Sequence, residues 1–239
     1  MRQVLASAWG ARHRIETEAS LRFGFLSDQL ARAGAPGKLV DLAGNASRDE
    51  TRHAAHCERL FHSHGGVELE AVTRVIEYAP RTLTPENRLT YEVVAQSCVA
   101  ETQSMATLVT LLGAAESGEL KSILHELARD EVNHSRLGWA YLAWARPRMD
   151  LAFLSPLLPG MIDGSAGPEI FTTGPAEADD PSLLAQGVIP RSARRRLYVE
   201  GLESVVLPGF DTVGVDTAQA RRWLREKLAA AGPPSTPSP

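Results

Sequence analysis

Arg48-Asp49-Glu50-Thr51-Arg52-His53 returns later in the chain as Arg129-Asp130-Glu131-Val132-Asn133-His134. Residues three apart on an α-helix point to the same side, so in each copy a carboxylate and an imidazole face one way. Both copies interrupt an apolar stripe. Leu42, Ala46, Cys57 and Leu60 continue the line of Glu50 and His53, while Leu124, Leu127, Gly138 and Tyr141 continue that of Glu131 and His134. A carboxylate buried alone costs several kcal/mol or takes up a proton, so a bound cation is a natural resolution. One Glu-x-x-His occurs often by chance; two on core-facing stripes supply oxygen and nitrogen ligands for two metals.

The flanking sequence reads as helices. Residues 4–32 carry apolar positions at mixed three and four spacing without proline, and Gly34-Ala35-Pro36-Gly37 ends that run. A second helix spans Lys38 to Ser63 and closes at Gly65-Gly66. Residues 67–83 form a longer connection with room for a short helix. Thr84-Pro85-Glu86 opens a third helix with a capping hydroxyl, a proline at the first helical position and an early acid. That helix runs to about Gly113, and Ser117-Gly118-Glu119 leads into a fourth that ends before Pro147. Nothing reads as a strand. Four helices of roughly 25–30 residues, paired by short turns with one long link, predict an all-α four-helix bundle with one crossover connection over residues 1–148. Residues 149–230 are expected to pack on it as a loop, partly mobile and rich in Gly, Pro, Ala and Asp from Pro156 to Pro190, then helices near 191–206 and 216–230. Residues 231–239 are expected to be a disordered tail.

The third helix repeats the anomaly: Glu101 interrupts the stripe Val94, Cys98, Met105, Leu108 and Leu112, and is a candidate bridging ligand. A two-metal site of this kind takes one further glutamate from each remaining helix, which points to Glu16 or Glu18 on the first. Residues that meet across an antiparallel pair lie equally far from the turn. Glu101 and Glu131 are centred on residue 116; Glu50 pairs with Glu16 about residue 33 or with Glu18 about residue 34. Spacing leaves both open. Asp49 and Asp130 stand four residues before their histidines, placed to join a hydrogen-bond network that fixes the imidazoles. His13, His56, His62, His64 and His125 belong to no such pattern, and His56 and His125 point away from the motif face.

Across about residues 10–145 the chain resembles the ferritin-like di-iron carboxylate superfamily. It looks like a poorly characterised bacterial ferritin-like group through Gly34-Ala-Pro, Asp49-Glu50-x-Arg52-His53, Cys98-Val-Ala-Glu101-Thr and Asp130-Glu131-x-x-His134. In that alignment the glutamate seven residues before Phe23 is the matching one, so the resemblance selects Glu16. Asp-Glu-x-Arg-His also resembles the motif of oxygen-activating di-iron monooxygenases and desaturases, which implies that Asp49, Arg52 and Asp130 belong to one hydrogen-bond network. The second copy departs from it, with Asn133 where the motif has arginine.

The expected metal ligands are therefore Glu16, Glu50, His53, Glu101, Glu131 and His134, holding two iron ions, with manganese an alternative at one or both positions. The function this implies is an oxygen-activating oxidase or monooxygenase acting on a small organic substrate, with dioxygen, an electron donor and optionally a second copy of the chain as partners. Iron oxidation for storage, peroxide detoxification, and a helical interaction protein retaining a relic site are the alternatives.

Composition narrows the field. With 25 basic and 29 acidic residues the net charge is −4, which offers no overall field for nucleic acid or anionic membrane. Arg191, Arg194, Arg195 and Arg196 are the local exception, read as a solvated helix start. Cys57 and Cys98, each on an apolar stripe, read as buried thiols. The N-terminus lacks the apolar core of a secretory signal and no run approaches the ~20 apolar residues that span a bilayer, so a cytoplasmic protein is expected.

Overall fold

The computed structural model describes residues 1–115, 118–167, 170–172 and 180–231, and among these the chain is all-helical with no strand. Helix α1 spans Arg2–Arg32 and α2 Gly37–Ser63; between them Gly34 turns the chain at φ +69°, a conformation that favours glycine. The two helices approach through small side chains. Ser20 Oγ donates to the Ser47 carbonyl and Ser47 Oγ to the Ser20 carbonyl, both at 2.9 Å, while Ser27 Oγ donates to the Val40 carbonyl at 3.1 Å. Partner numbers that rise on one helix and fall on the other make the pair antiparallel.

The connection after α2 contains no helix; its end is anchored in the core. Glu92 accepts the backbone N–H groups of Tyr78 and Ala79 at 2.5 and 2.6 Å and pairs with Arg22 of α1 at 3.4 Å. Arg22 in turn lies 3.5 Å from the centre of the Tyr78 ring. The third helix begins as expected, with Thr84 Oγ1 accepting from the Asn87 N–H at 3.3 Å. It is not uniform. The α-helix α3 (Pro85–Val93) widens into a π-helical stretch, Val94–Ala100, before resuming as α4 (Glu101–Ala114). Every residue from Thr90 to Val99 is buried, because this rod is covered on more than one side. Helix α5 spans Glu119–Ala145 and runs antiparallel both to α4 and to α2, so α2 and α4 point the same way and residues 64–84 must traverse the length of the molecule.

The C-terminal part is more helical than the sequence predicts. A 3₁₀ turn, Ala152–Leu157, leads into the stretch from Pro156 to Pro190, which holds α6 (Leu158–Ser165) and a second 3₁₀ turn at Pro181–Gln186. Leu158, Met161 and Ile162 are buried along one face of α6, and Pro159 sits in its first turn, where a missing N–H costs no helical bond. Part of that segment and residues 232–239 lie outside the described residues. Helix α7 (Arg191–Gly201) continues through a π-helical turn, Leu202–Val206, into α8 (Leu207–Thr212), and α9 covers Ala218–Ala231. These helices share one apolar cluster with α1, α2, α3, the first π-helical stretch and α5: Tyr198, Leu202, Val206 and Phe210 are buried with Cys98, Leu137 and Tyr141. Of the arginine cluster, Arg195 donates to the Ile170 carbonyl at 3.0 Å and Arg191 to the Thr172 carbonyl, pinning the loop before α7. Among the described residues no helix is long and apolar enough to cross a membrane.

Candidate metal centre

The apolar interior falls into two main clusters. One gathers Ala19, Phe23, Ala43, Ala46, Cys98, Val99, Leu137 and Tyr141; the other gathers Trp9, Cys57, Phe61, Leu108, Leu124 and Leu127. Along each long helix the break between the clusters falls at the same height, and there the chain places Glu16, Glu50, His53, Glu101, Glu131 and His134, all buried. A charged layer is thus sealed between two dry ones.

The six residues form two overlapping groups. Glu16, Glu50, His53 and Glu131 present ligand atoms that all lie within 4.8 Å of one another, and so do Glu50, Glu101, Glu131 and His134. Glu50 and Glu131 belong to both. Glu101 belongs to one only, with His134, and the two carboxylates common to both groups come from the two Glu-x-x-His copies. Glu16, not Glu18, faces the layer; Glu18 is half-buried and pairs with Arg14 at 3.4 Å.

Both histidines turn Nδ1 inward. His53 Nδ1 lies 3.0 Å from Glu50 Oε2, and His134 Nδ1 lies 3.1 Å from Glu131 Oε2. Their outer nitrogens cross over: His53 Nε2 meets Asp130 Oδ2, and His134 Nε2 meets Asp49 Oδ2, each at 3.3 Å. Arg52 ties the two aspartates together, donating to Asp49 at 2.7 Å and to Asp130 at 2.9 Å. The Phe23 ring lies 5.4 Å from that of His134. His56 stays outside both groups, paired with Glu126 at 3.2 Å, and His125 is exposed.

The electrostatics show what this layer demands. Burial pushes the Glu16 carboxyl up, and neighbouring Glu50 adds to it, to about 8. Burial and the charge of Glu131 hold Glu101 well above the usual carboxylate range. Burial alone would depress the histidines, but the hydrogen bond to Glu50 raises His53 to about 9, and the hydrogen bond to Glu131 together with the close Glu50 carboxylate raises His134 to about 12. Four carboxylates against two imidazoles leave excess negative charge that the layer offsets by holding protons, the same role a cation would take. Glu50 Oε1 reinforces the point. It lies 2.9 Å from His134 Nδ1, and although buried it accepts no hydrogen bond. An orphaned carboxylate oxygen inside two sets of oxygen and nitrogen donors fits a metal ion.

Three contributors are not signalled by the repeat. Arg12 Nε donates to Glu16 Oε1 at 2.8 Å, Gln96 Nε2 donates to Glu101 Oε1, and Ser104 Oγ donates to Glu131 Oε1 at 2.9 Å. Gln96 sits in the π-helical stretch, and only the four-residue spacing of Arg12 and Glu16 carried any signal in the sequence. No protein-family model matches the chain, and no curated protein is significantly similar to it. The buried Glu/His layer can therefore be read only from its own chemistry, as a site able to hold metal.

Proposed function

We propose that the chain is a ferritin-like four-helix bundle with one crossover, holding two iron ions, or manganese at one or both positions, and acting as an oxygen-activating oxidase or monooxygenase on a small organic substrate. The observation that carries this reading is the pair of four-ligand groups sharing Glu50 and Glu131. One glutamate from each of two helices plus Glu-x-x-His from each of the other two is the ligand pattern of the di-iron and di-manganese carboxylate bundles. Glu16 and His53 would complete one position and Glu101 and His134 the other. Metal bound there would supply the redox chemistry toward dioxygen.

The chain's own residues set the conditions for it. Asp49 and Asp130 fix the imidazole orientations, with Arg52 holding both aspartates in place. The apolar clusters on either side keep bulk water from the layer. Helix α7 lies beside α4, where Gln103 Nε2 donates to the Tyr198 carbonyl at 3.2 Å, so the C-terminal helices cover the helix that carries Glu101 and are placed to restrict access from that side.

The test is metal content by mass spectrometry on protein purified without chelator, wild type beside Glu50→Ala and Glu131→Ala. About two iron or manganese ions per wild-type chain are expected, lost in folded variants. Oxygen consumption that depends on an added organic compound would support the oxygenase reading; consumption proportional to added ferrous ion alone would reassign the centre to iron handling. No metal after anaerobic iron loading would remove both.

A further inference from the structure

The two ligand groups are alike in composition but not in their surroundings. Glu16 carries a half-buried cation: the Arg12 guanidinium donates to it at 2.8 Å, and the Arg12 side chain is 16% exposed. Glu101 at the equivalent place carries the neutral amide of Gln96. The histidines differ in the same sense. Asp130, behind His53, is held by two arginines, Arg52 at 2.9 Å and Arg129 at 2.8 Å, whereas Asp49, behind His134, is held by Arg52 alone at 2.7 Å. An arginine paired with a carboxylate draws off charge that a metal would otherwise use, and a more fully neutralised aspartate makes its imidazole a weaker donor. Both effects act on one group and spare the other. Arginine does not lose its proton in proteins, so the guanidinium stays cationic beside Glu16.

We propose that the two metal positions are unequal, that the Glu101/His134 position fills first and binds tightly, and that Arg12 makes the Glu16/His53 position the weaker, exchangeable one. This rests on the metal-binding reading above. Arg12 is then a positioning and affinity-setting residue, competing with the second ion for Glu16.

Anaerobic titration of the full chain with Mn(II), followed by electron paramagnetic resonance, separates the two claims. The expected wild-type result is a mononuclear signal up to one equivalent, replaced by a coupled dinuclear signal in a second step at least roughly tenfold weaker, since a cation a few ångströms away repels a divalent ion even at an effective dielectric near 20. Arg12→Gln should tighten the second step by roughly tenfold and leave the first little changed, while Arg12→Lys, which keeps the charge, should stay near wild type. Arg129→Gln should act in the same direction but weakly, its side chain being 63% exposed. Glu16→Gln should keep the tight ion, and Glu101→Gln should lose it. Two equal steps in wild type, an unchanged second step in folded Arg12→Gln, or loss of the tight ion in Glu16→Gln rather than Glu101→Gln would overturn the inequality while leaving a metal centre intact. Absence of any bound Mn(II) would overturn both.

Discussion

Asp49 Oδ2 lies 3.3 Å from Nε2 of His134, a residue on a different helix, and Asp130 stands in the same relation to His53. Each copy of the repeat therefore orients the imidazole of the other. Asp49→Asn should weaken metal binding at the Glu101/His134 position and Asp130→Asn at the Glu16/His53 position, each by about 10–100-fold, the usual effect of losing such a partner. Mn(II) titration of the two variants checks this; a change confined to the histidine of the same copy would contradict the crossed arrangement.

The metal-free chain should lose stability as pH rises. Glu16 moves from 4.5 to about 8, His53 from 6.5 to about 9 and His134 from 6.5 to about 12, so the folded chain binds more protons than the unfolded one. Their contribution is complete below the unfolded values and is lost as pH climbs through the folded ones. Glu50 runs the other way: the close imidazoles of His134 and His53 outweigh burial and lower it to about 2, so its contribution is present above 4.5 and disappears as pH falls toward 2. Thermal melts in chelator should fall from about pH 5 to about pH 9, and Mn(II) should remove that slope because it replaces the same protons. A flat profile in chelator would speak against the buried proton-holding layer.

The Arg22–Glu92 pair is buried on both sides, 3% and 4% exposed, and Glu92 also holds the N–H groups of Tyr78 and Ala79. Glu92→Ala should destabilise the protein by about 3–5 kcal/mol in denaturant unfolding, since it strands a buried guanidinium and two backbone donors. Exchange of the Tyr78 and Ala79 amides should rise well before global unfolding in that variant, because Glu92 accepts both of their N–H groups.

Gly138 lies one turn beyond His134, where α5 meets the π-helical stretch. A Cβ there would come within 2.5 Å of Cys98 Sγ and 2.8 Å of the Cys98 backbone nitrogen. Gly138→Ala should cost about 1–3 kcal/mol, the usual range for overpacking. Adding Cys98→Ala should recover only part of it, as the backbone contact remains; full recovery would mean that the helix spacing is softer than it looks.

Much of this site is legible in the sequence because its rule is local. Glu50, His53, Glu101, Glu131 and His134 each interrupt an apolar stripe, and burial of a charge is visible from periodicity alone. Glu16 and Glu18 differ by less than a turn; spacing leaves both open, the family resemblance selects Glu16, and the fold buries it while Glu18 stays half-buried. The crossed aspartates depend on how α2 meets α5, which spacing within either helix does not encode. Arg12 carries the signature of an ordinary exposed helix pair, and its burial is a tertiary fact. The π-helical stretch leaves no trace in Val94–Ala100, where Gln96 stands among small and apolar residues that suit either helix type. Helix α6 is not predicted because a proline and two glycines stand among its eight residues, while three apolar residues decide its burial.

The exchange of aspartates has an assembly consequence. The first two helices alone hold Glu16, Glu50 and His53 but leave His53 Nε2 without Asp130; the later pair holds Glu101, Glu131 and His134 but leaves His134 Nε2 without Asp49. Neither hairpin is a finished chelator, so helix formation and site formation are separate events. Ion capture would then report the docking of the two hairpins, and a chain caught between those stages would be helical yet unable to retain a reactive metal before the surrounding layers have closed.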